Sequence, residues 1–209
     1  RLMRGKFISI EGGEGAGKST MMERISAWLN SRGHEVIKTR EPGGTVLAEK
    51  IRAILLDDEH VELCSQAELL LMFASRAQHL EELIRPALQK GDTVLCDRFT
   101  DATWAYQGGG RQMPPDLIAG LEQMVHGDLQ PDLTLLLDLP VELGLARASR
   151  RSEADRFEQE SMRFFERVRQ AYLDRAASQY ERFAVIDASG DEEQVWSQIG
   201  AVLEERLGR

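Results

Sequence analysis

The sequence has few of the features that mark specialised classes of protein. It contains two cysteines, Cys64 and Cys96, without the CxxC or metal-ligand spacing that a redox or zinc module needs. Its longest uninterrupted apolar run, from Leu69 to Ala74, has six residues, whereas a membrane-spanning helix needs about 20. No apolar segment precedes a small-residue cleavage site near the beginning. We therefore expect reduced thiols, a cytoplasmic location and no membrane partner.

Positive charge is also scarce. The 209 residues include 26 Lys and Arg against 35 Asp and Glu, for a net charge of −9. Non-specific nucleic-acid binding needs a basic face, so we expect no nucleic-acid partner. Small anionic ligands are compatible with this balance, because a few local arginines can hold them. The shares of hydrophobic and charged residues, 42% and 29%, are typical of a globular domain.

Short apolar runs alternate with longer amphipathic stretches, a pattern typical of a parallel α/β sheet. We predict strands at residues 6–11, 34–39, 92–97, 133–139 and 184–187, and helices at 18–32 and 192–207. Ser65 followed by Glu68 predicts a capping box at the start of another long helix. Right-handed crossovers would place helices on both faces of the sheet. The sequence thus predicts one domain over residues 1–209, with a five-stranded parallel sheet between two layers of helices.

A phosphate-binding loop lies between the first predicted strand and the helix after it. Residues 12–19 read GGEGAGKS and fit the pattern G-x-x-x-x-G-K-[ST]. Glycines let successive backbone N–H groups surround an anion, and the helix adds its positive N-terminal end. A dinucleotide fingerprint fails here because position 18 is Lys rather than Gly. We predict a three-layer P-loop NTPase fold that holds a nucleotide through Gly12, Gly13, Glu14, Gly15, Ala16, Gly17, Lys18, Ser19 and Thr20.

The chemistry of this loop suggests roles for four side chains. Lys18 would reach the β- and γ-phosphates, and the Ser19 hydroxyl would ligate Mg²⁺. Asp97 and Arg98 end the third predicted strand, and the carboxyl edge of a parallel sheet lies beside the phosphate loop. Asp97 would then hold Mg²⁺ directly or through water, while Arg98 would face an anion. The alternative for this pair is a surface salt bridge.

Two further patterns have both a structural and a functional interpretation. Phe73 and Arg76 are three residues apart on one helix and share a face, so they either pack in the core or contact a base. Four arginines lie within ten residues, at positions 147, 150, 151 and 156. Such a run is typical of a solvated helix face, but beside a phosphate loop it also suits a lid over transferring phosphates. No Asn-Lys-x-Asp or Ser-Gly-Gly motif is present, which disfavours guanine-specific switches and transporter ATPases.

Several longer motifs occur together with the phosphate loop. EGGEGAGKS, REPGGT, DRF and AYQGGGR follow one another, and PDLT and DRFE come later in the chain. In this order and spacing, the sequence resembles the bacterial thymidylate kinases. The resemblance implies transfer of the γ-phosphoryl group of ATP to dTMP, with Mg²⁺ as cofactor and dTDP and ADP as products, in dTTP synthesis. It also implies a homodimer whose partners in the reaction are ATP and dTMP.

Roles carried over from this resemblance fall on two sets of residues. The dTMP-binding set is Glu14, Glu41, Pro42, Arg52, Phe73, Arg76, Arg98, Thr103, Tyr106 and Gln107. The catalytic set is Lys18, Asp97, Arg98, Arg147, Arg151 and Arg156, with Ser19 and Asp97 as metal ligands. Some family members carry an arginine inside the phosphate loop, where this chain has Gly15, so a lid at about 147–157 would supply the arginines.

Within the dTMP set, the resemblance implies particular contacts. Glu14 would contact the sugar 3′-hydroxyl, Phe73 would stack on thymine, and Arg76 would bond its edge. Arg98 and Arg52 would hold the acceptor phosphate, and Tyr106 would leave no room for a 2′-hydroxyl. Two rival functions remain open at this point: a kinase for another small acceptor, and a nucleotide-binding switch without turnover.

Overall fold

The computed structural model describes residues 5–57, 63–150 and 155–208. Within them, five strands form one all-parallel sheet in the order β2-β3-β1-β4-β5. The strands are β1 (Phe7–Gly12), β2 (Val36–Arg40), β3 (Thr93–Asp97), β4 (Leu133–Asp138) and β5 (Phe183–Asp187). Each lies within two residues of its predicted bounds, and the predicted fold class is confirmed.

Helices cover both faces of the sheet. They are α1 (Lys18–Asn30), α2 (Val46–Leu56), α3 (Ser65–His79), α4 (Arg85–Lys90), α5 (Thr100–Thr103), α6 (Pro115–Val125), α7 (Val141–Ala148), α8 (Met162–Ser178) and α9 (Glu192–Leu207). Two π-helical segments, Leu80–Ile84 and Trp104–Gly110, follow α3 and α5. In the part of the chain that the structure describes, none of these helices is both long and apolar enough to cross a bilayer.

The core has two sides, divided by the sheet. On one side, α1 and α9 pack on the central strands through side chains such as Ile10, Ile25, Leu135 and Ile199. On the other side, α8 packs an aromatic cluster against the second π-helical segment, with Tyr106, Phe157, Phe164, Phe165 and Tyr172 as its largest members. β1 is buried along its whole length because a central parallel strand is covered on both faces.

The beginning of α3 differs from our prediction. Ser65 does not cap the helix; Cys64 occupies the N-cap position and makes no side-chain capping bond. The Glu68 side chain turns inward instead and is fully buried, where it accepts hydrogen bonds from Gln107, Arg111 and Arg156. The capping-box prediction is therefore wrong. A carboxylate that meets two guanidiniums in the interior gains stronger, charge-assisted bonds than a backbone N–H offers at an exposed helix end.

The strand register gathers three loops at one edge of the sheet. Asp97 at the end of β3 pairs with Ile10 of β1 on one side and Arg40 of β2 on the other. The phosphate loop after β1, the REPGGT loop after β2 and the Asp97-Arg98 corner therefore lie side by side. This edge, outside the carboxyl ends of the strands, is where open α/β sheets bind ligands.

Candidate active site

The phosphate loop connects β1 to α1 through backbone that a side chain would disturb. Gly12, Gly15 and Gly17 have φ values of 149°, 69° and 87°. A Cβ atom on Gly15 would lie 1.9 Å from the carbonyl oxygen of Gly144 in α7. The loop therefore packs directly against α7. Its backbone N–H groups and the N-terminal end of α1 can bind an anion.

Charges of both signs converge on Lys18, the first residue of α1. Burial and the nearby Arg98 lower the pKa of Lys18, whereas the carboxylates of Asp97, Glu14 and Glu11 act in the opposite direction. Burial is the largest of these effects, so the lowered pKa reflects the removal of the ammonium group from water. A phosphate bound in the loop would stabilise the charged ammonium group.

Arg98, Glu14 and Tyr106 form a closed triangle beside the loop. Arg98 Nη2 donates to Glu14 Oε1 at 3.0 Å and to the Tyr106 hydroxyl at 3.0 Å, and that hydroxyl donates to Glu14 Oε1 at 2.7 Å. Arg98 has a left-handed backbone with φ of 67°, an uncommon conformation that recurs at functional sites. Burial would raise the pKa of Glu14, but Arg98, Lys18 and the hydroxyl donor outweigh it and lower the pKa to about 2. Glu14 is therefore a fixed negative charge at neutral pH.

A cavity of about 530 Å³ opens next to this triangle. It contains nine of the ten residues predicted to bind dTMP: Glu14, Glu41, Pro42, Arg52, Arg76, Arg98, Thr103, Tyr106 and Gln107. We refer to it as the acceptor cavity.

Arg76 lies at the inner end of the acceptor cavity and is almost fully buried. Its Nε donates to Glu41 at 2.6 Å, and its Nη2 donates to Thr103 Oγ1 at 3.0 Å. Burial would raise the pKa of Glu41, but Arg76 and His79 reverse that effect and lower it. Arg76 Nη1 has no hydrogen-bond partner among the described residues. This buried donor is therefore available to an acceptor atom on a ligand.

Two further arginines, Arg52 and Arg98, line the acceptor cavity. Arg98 Nε is buried and unpartnered within the described chain. Burial and the charges of Arg40 and Arg98 lower the pKa of Arg52, whose Nη1 donates to the Pro42 carbonyl at 2.9 Å. Repelling cations with free donors favour an anion between them. The part of the cavity beside Arg52 and Arg98 can hold a phosphate group.

Phe73 is buried, and its stacking on thymine stays a prediction. The ring is 2% exposed, packs with Leu69 and Ile118, and does not line the acceptor cavity. Its centre lies 5.0 Å from the Arg76 Cζ atom, so it supports the guanidinium from the protein side. Met72, four residues before Arg76, shares a helix face with it and lines the cavity in its place.

Ser19 and Asp97, the predicted metal ligands, line a common hollow beside the phosphate loop. Asp97 Oδ1 is buried and has no hydrogen-bond partner in the described part of the chain. A hydroxyl and a free carboxylate oxygen are oxygen ligands of the kind that Mg²⁺ takes, together with phosphate oxygens and water. The residues present therefore fit the metal.

Comparison with known proteins decides the family. The family model described as thymidylate kinase matches residues 10–199. The chain belongs to the thymidylate kinase family. It is 58% identical over 201 residues to the thymidylate kinase of Ectopseudomonas mendocina (strain ymp), which covers 96% of each chain. It is 54% identical over 205 residues to that of Pseudomonas syringae pv. tomato, which covers 98% of each chain. The crystal structure of thymidylate kinase from Ehrlichia chaffeensis superposes with a TM-score of 0.79 at 32% identity, covering 96% of this chain and 99% of that one.

Two of the arginines predicted to serve a lid in this thymidylate kinase family member, Arg147 and Arg156, do not line the acceptor cavity. Arg147 donates to the carbonyls of Ala188, Ser189 and Gly190, in a hollow that it shares with the outer side of the phosphate loop. Arg156 donates to the Leu55 carbonyl and to Glu68. Arg151 lies outside the described residues. The catalytic roles of these arginines stay predictions.

Sequence reasoning missed several residues around the cavity. The cavity is also lined by Met72, Phe99, Asp155 and Phe157. Glu68 does not line it but accepts a hydrogen bond from Gln107, which does. Met72 could have been predicted, because its spacing of four residues from Arg76 places both side chains on one helix face. The others depend on contacts between distant segments, so no local pattern indicates them.

Proposed function

We propose that the chain is an ATP-dependent thymidylate kinase that transfers the γ-phosphoryl group of ATP to dTMP, giving dTDP and ADP. Identities of 54–58% over nearly the whole length of thymidylate kinases support this activity. The single structural observation that carries it is the position of Glu14 and Arg98, which belong at once to the surroundings of the phosphate loop and to the acceptor cavity. A donor in the loop and an acceptor in the cavity would meet there.

ATP is proposed to lie with its phosphates in residues 12–19. The backbone N–H groups and Lys18 would hold the β- and γ-phosphates. The nucleoside would occupy the adjacent hollow of about 610 Å³, which is lined by Gly15, Thr20, Arg147 and the loop that follows β5. This hollow lies outside the acceptor cavity, so both nucleotides can bind together.

The dTMP base is proposed to lie at the inner end of the acceptor cavity. The free Arg76 donor would meet an acceptor on the thymine edge, between the walls that Met72 and Phe99 provide. The deoxyribose would lie against Tyr106, with Glu14 close enough to accept from its 3′-hydroxyl. The phosphate would bind to Arg98 and Arg52, directed towards Lys18.

The acceptor needs no general base. A phosphate monoester has a second pKa near 6, so at neutral pH it is mostly a dianion and already nucleophilic. The obstacle is repulsion: two unit charges 4 Å apart repel by about 4 kcal/mol at an effective dielectric constant of 20. Lys18 and Arg98 would offset this repulsion and match the charge on the equatorial oxygens in the transition state. Closure of a lid at about 147–157 would exclude water and prevent ATP hydrolysis.

Mg²⁺ is proposed as the cofactor, held by Ser19 and Asp97. When bound, it neutralises the charge on the phosphate oxygens. The free Asp97 Oδ1 supports this assignment. We also propose a cytoplasmic location with no nucleic-acid or membrane partner, in keeping with the net charge of −9.

A homodimer is proposed through α2, α3 and α6, which adjoin one another. These helices expose large apolar side chains: Val46, Leu47, Ile54, Leu70, Leu117 and Met124. Met124 is 73% exposed and Val46 is 78% exposed, which is unfavourable in water unless a second copy covers them. Sedimentation velocity should give a dimer for the natural chain and a monomer for Leu70→Glu, whereas a monomeric natural chain would contradict this proposal.

Steady-state ADP release with a panel of acceptors tests the proposed function. We expect turnover with ATP and Mg²⁺ to be fastest with dTMP, slower with dUMP, and slowest with dCMP and the ribose form of TMP. A preference for another acceptor would support the rival kinase. Nucleotide binding without acceptor-dependent turnover would instead support the switch.

A further inference from the structure

Glu68 is a fully buried carboxylate that no step of the proposed reaction uses. It lies on α3, one turn after the helix begins, and its side chain is 0% exposed. Three side chains donate to it: Gln107 Nε2 at 2.9 Å, Arg111 Nε at 3.1 Å and Arg156 Nη2 at 2.7 Å. Both of its oxygens are used, so the group is fixed in position.

The three donors belong to segments that are distant in the sequence. Gln107 and Arg111 lie in and just after the second π-helical segment, while Arg156 lies at the end of the proposed lid. Arg156 Nε also donates to the carbonyl of Leu55, near the end of α2, at 2.9 Å. Glu68 therefore joins α3, the π-helical segment and the end of the lid, and through Arg156 it reaches α2.

A second set of contacts strengthens the connection to the lid end. Arg111 also forms an ion pair with Glu160, and its guanidinium lies 5.5 Å from the centre of the Phe157 ring and 4.8 Å from that of Phe164. The Asp155 carboxylate accepts from the N–H groups of Phe157 and Glu158, which folds this segment into a turn. Residues 155–160 are therefore anchored through the contacts of Arg111 and Arg156, and both of these guanidiniums donate to the Glu68 carboxylate.

The connected residues also form part of the wall of the acceptor cavity. Gln107, Asp155 and Phe157 all line it, although Glu68 itself does not. A change in the Glu68 carboxylate would therefore affect contacts of both Gln107 and the segment that carries Asp155 and Phe157. Removing its charge would leave two largely buried guanidiniums without their shared partner, which is a costly arrangement.

We propose that Glu68 is a positioning residue for the acceptor: it fixes Gln107 in the wall of the cavity and ties residues 155–160 to the same cavity. The proposal rests on the assignment of this cavity to dTMP. Under this proposal, binding of the dTMP base and the position of residues 155–160 are connected, because both depend on the Glu68 carboxylate.

Glu68→Gln is the direct test, since it keeps the size of the side chain and removes its charge. We expect the KM for dTMP to rise about tenfold while the KM for ATP stays within twofold. Arg111→Gln should raise the KM for dTMP by a similar factor. The double variant should be little worse than either single variant, because both changes break one connection. Glu68→Asp keeps the charge, so its KM for dTMP should lie between those of the natural chain and Glu68→Gln.

Asp101→Asn is the matched control. Asp101 is also fully buried and also holds two arginines, Arg175 and Arg182, but it does not line the acceptor cavity. We expect it to lower Tm as Glu68→Gln does, with both KM values unchanged. If Glu68→Gln lowers Tm but leaves the KM for dTMP within twofold of the natural value, the proposal is overturned and Glu68 is only structural. Should Glu68→Gln fail to fold, Arg111→Gln decides by the same criterion.

The outcome is separable from that of the proposed function. Absence of dTMP-dependent turnover in the natural chain would remove the proposed function and this proposal with it. Normal turnover in the natural chain, together with an unchanged KM for dTMP in both Glu68→Gln and Arg111→Gln, would overturn this proposal alone.

Discussion

Arg98 Nη2 donates to Glu14 Oε1 over 3.0 Å and so connects the end of β3 to the phosphate loop after β1. The two residues are 84 positions apart in the sequence, and Arg98 has a left-handed backbone. Because Glu14 belongs to the phosphate loop and Arg98 faces the acceptor cavity, the two sites share one ion pair. A change at either residue should affect donor and acceptor together.

Arg98→Lys keeps a positive charge but removes the planar fork that reaches Glu14, Tyr106 and an acceptor phosphate. We expect kcat/KM for dTMP to fall by about 10²-fold or more, roughly 3 kcal/mol of transition-state stabilisation. The far-UV circular dichroism spectrum should stay that of the natural chain. Turnover close to the natural rate in a folded variant would exclude the role given to Arg98.

Tyr106 offers a test of sugar selection. Tyr106→Phe keeps the ring and loses the hydroxyl that donates to Glu14, whereas Tyr106→Ala loses both. We expect the Tyr106→Phe variant to keep most of the preference for dTMP over its ribose form, and the Tyr106→Ala variant to lose it. The reason is that the ring provides the bulk with which a 2′-hydroxyl would clash. The ratio of kcat/KM for the two acceptors measures this. Equal loss in both variants would show that ring size is not responsible.

Met72 and Phe73 are adjacent in the sequence but have different surroundings. Met72→Ala should raise the KM for dTMP about fivefold, because it removes a wall of the acceptor cavity. Phe73→Leu should instead lower the free energy of unfolding by about 1–2 kcal/mol and leave that KM within twofold, since the ring is in the core. Urea titrations and initial rates distinguish the two effects. The reverse pattern would restore Phe73 as the residue against the base.

Glu11 predicts a pH dependence of stability. Burial, together with the charge of Asp101, raises its pKa from 4.5 to about 8, although Phe99 N–H and the Tyr172 hydroxyl donate to it. A raised pKa means that the folded state binds the proton more tightly than the unfolded chain does, so this contribution to stability is complete below pH 4.5 and is lost as the pH rises to 8.

Glu11→Gln should therefore gain stability relative to the natural chain progressively as the pH rises from 5 to 8. Urea denaturation at several pH values provides the measurement. Glu205→Gln, at an exposed position on α9, should follow the natural pH profile. A difference between Glu11→Gln and the natural chain that does not change with pH would contradict the raised pKa.

The sheet and the phosphate loop could be predicted because their signals are local. Each strand is a short apolar run, and residues 12–19 carry a pattern whose glycines and Lys18 have a direct physical purpose. The strand order could not be read in the same way, since it depends on which runs meet after long crossovers. The sequence places β1 first, but only the fold places it in the centre of the sheet.

The residues that were misplaced or missed depend on non-local contacts. Glu68 fits a capping box by spacing, yet two arginines from distant segments turn it inward. For Glu68, buried partners outweigh the local preference that the sequence displays. The bonds of Arg147 to the carbonyls of the loop after β5 could not be read from its charge run either, and its lid role stays a prediction.

The most direct test is a crystal structure of the chain with dTMP and a non-hydrolysable ATP analogue bound together. We predict that the phosphates of the analogue lie against Lys18 and the backbone of the phosphate loop. The thymine should lie near Arg76, and the dTMP phosphate should contact Arg98 and point towards the terminal phosphate of the analogue. Binding of dTMP anywhere outside the acceptor cavity, or with its phosphate directed away from Lys18, would contradict the account.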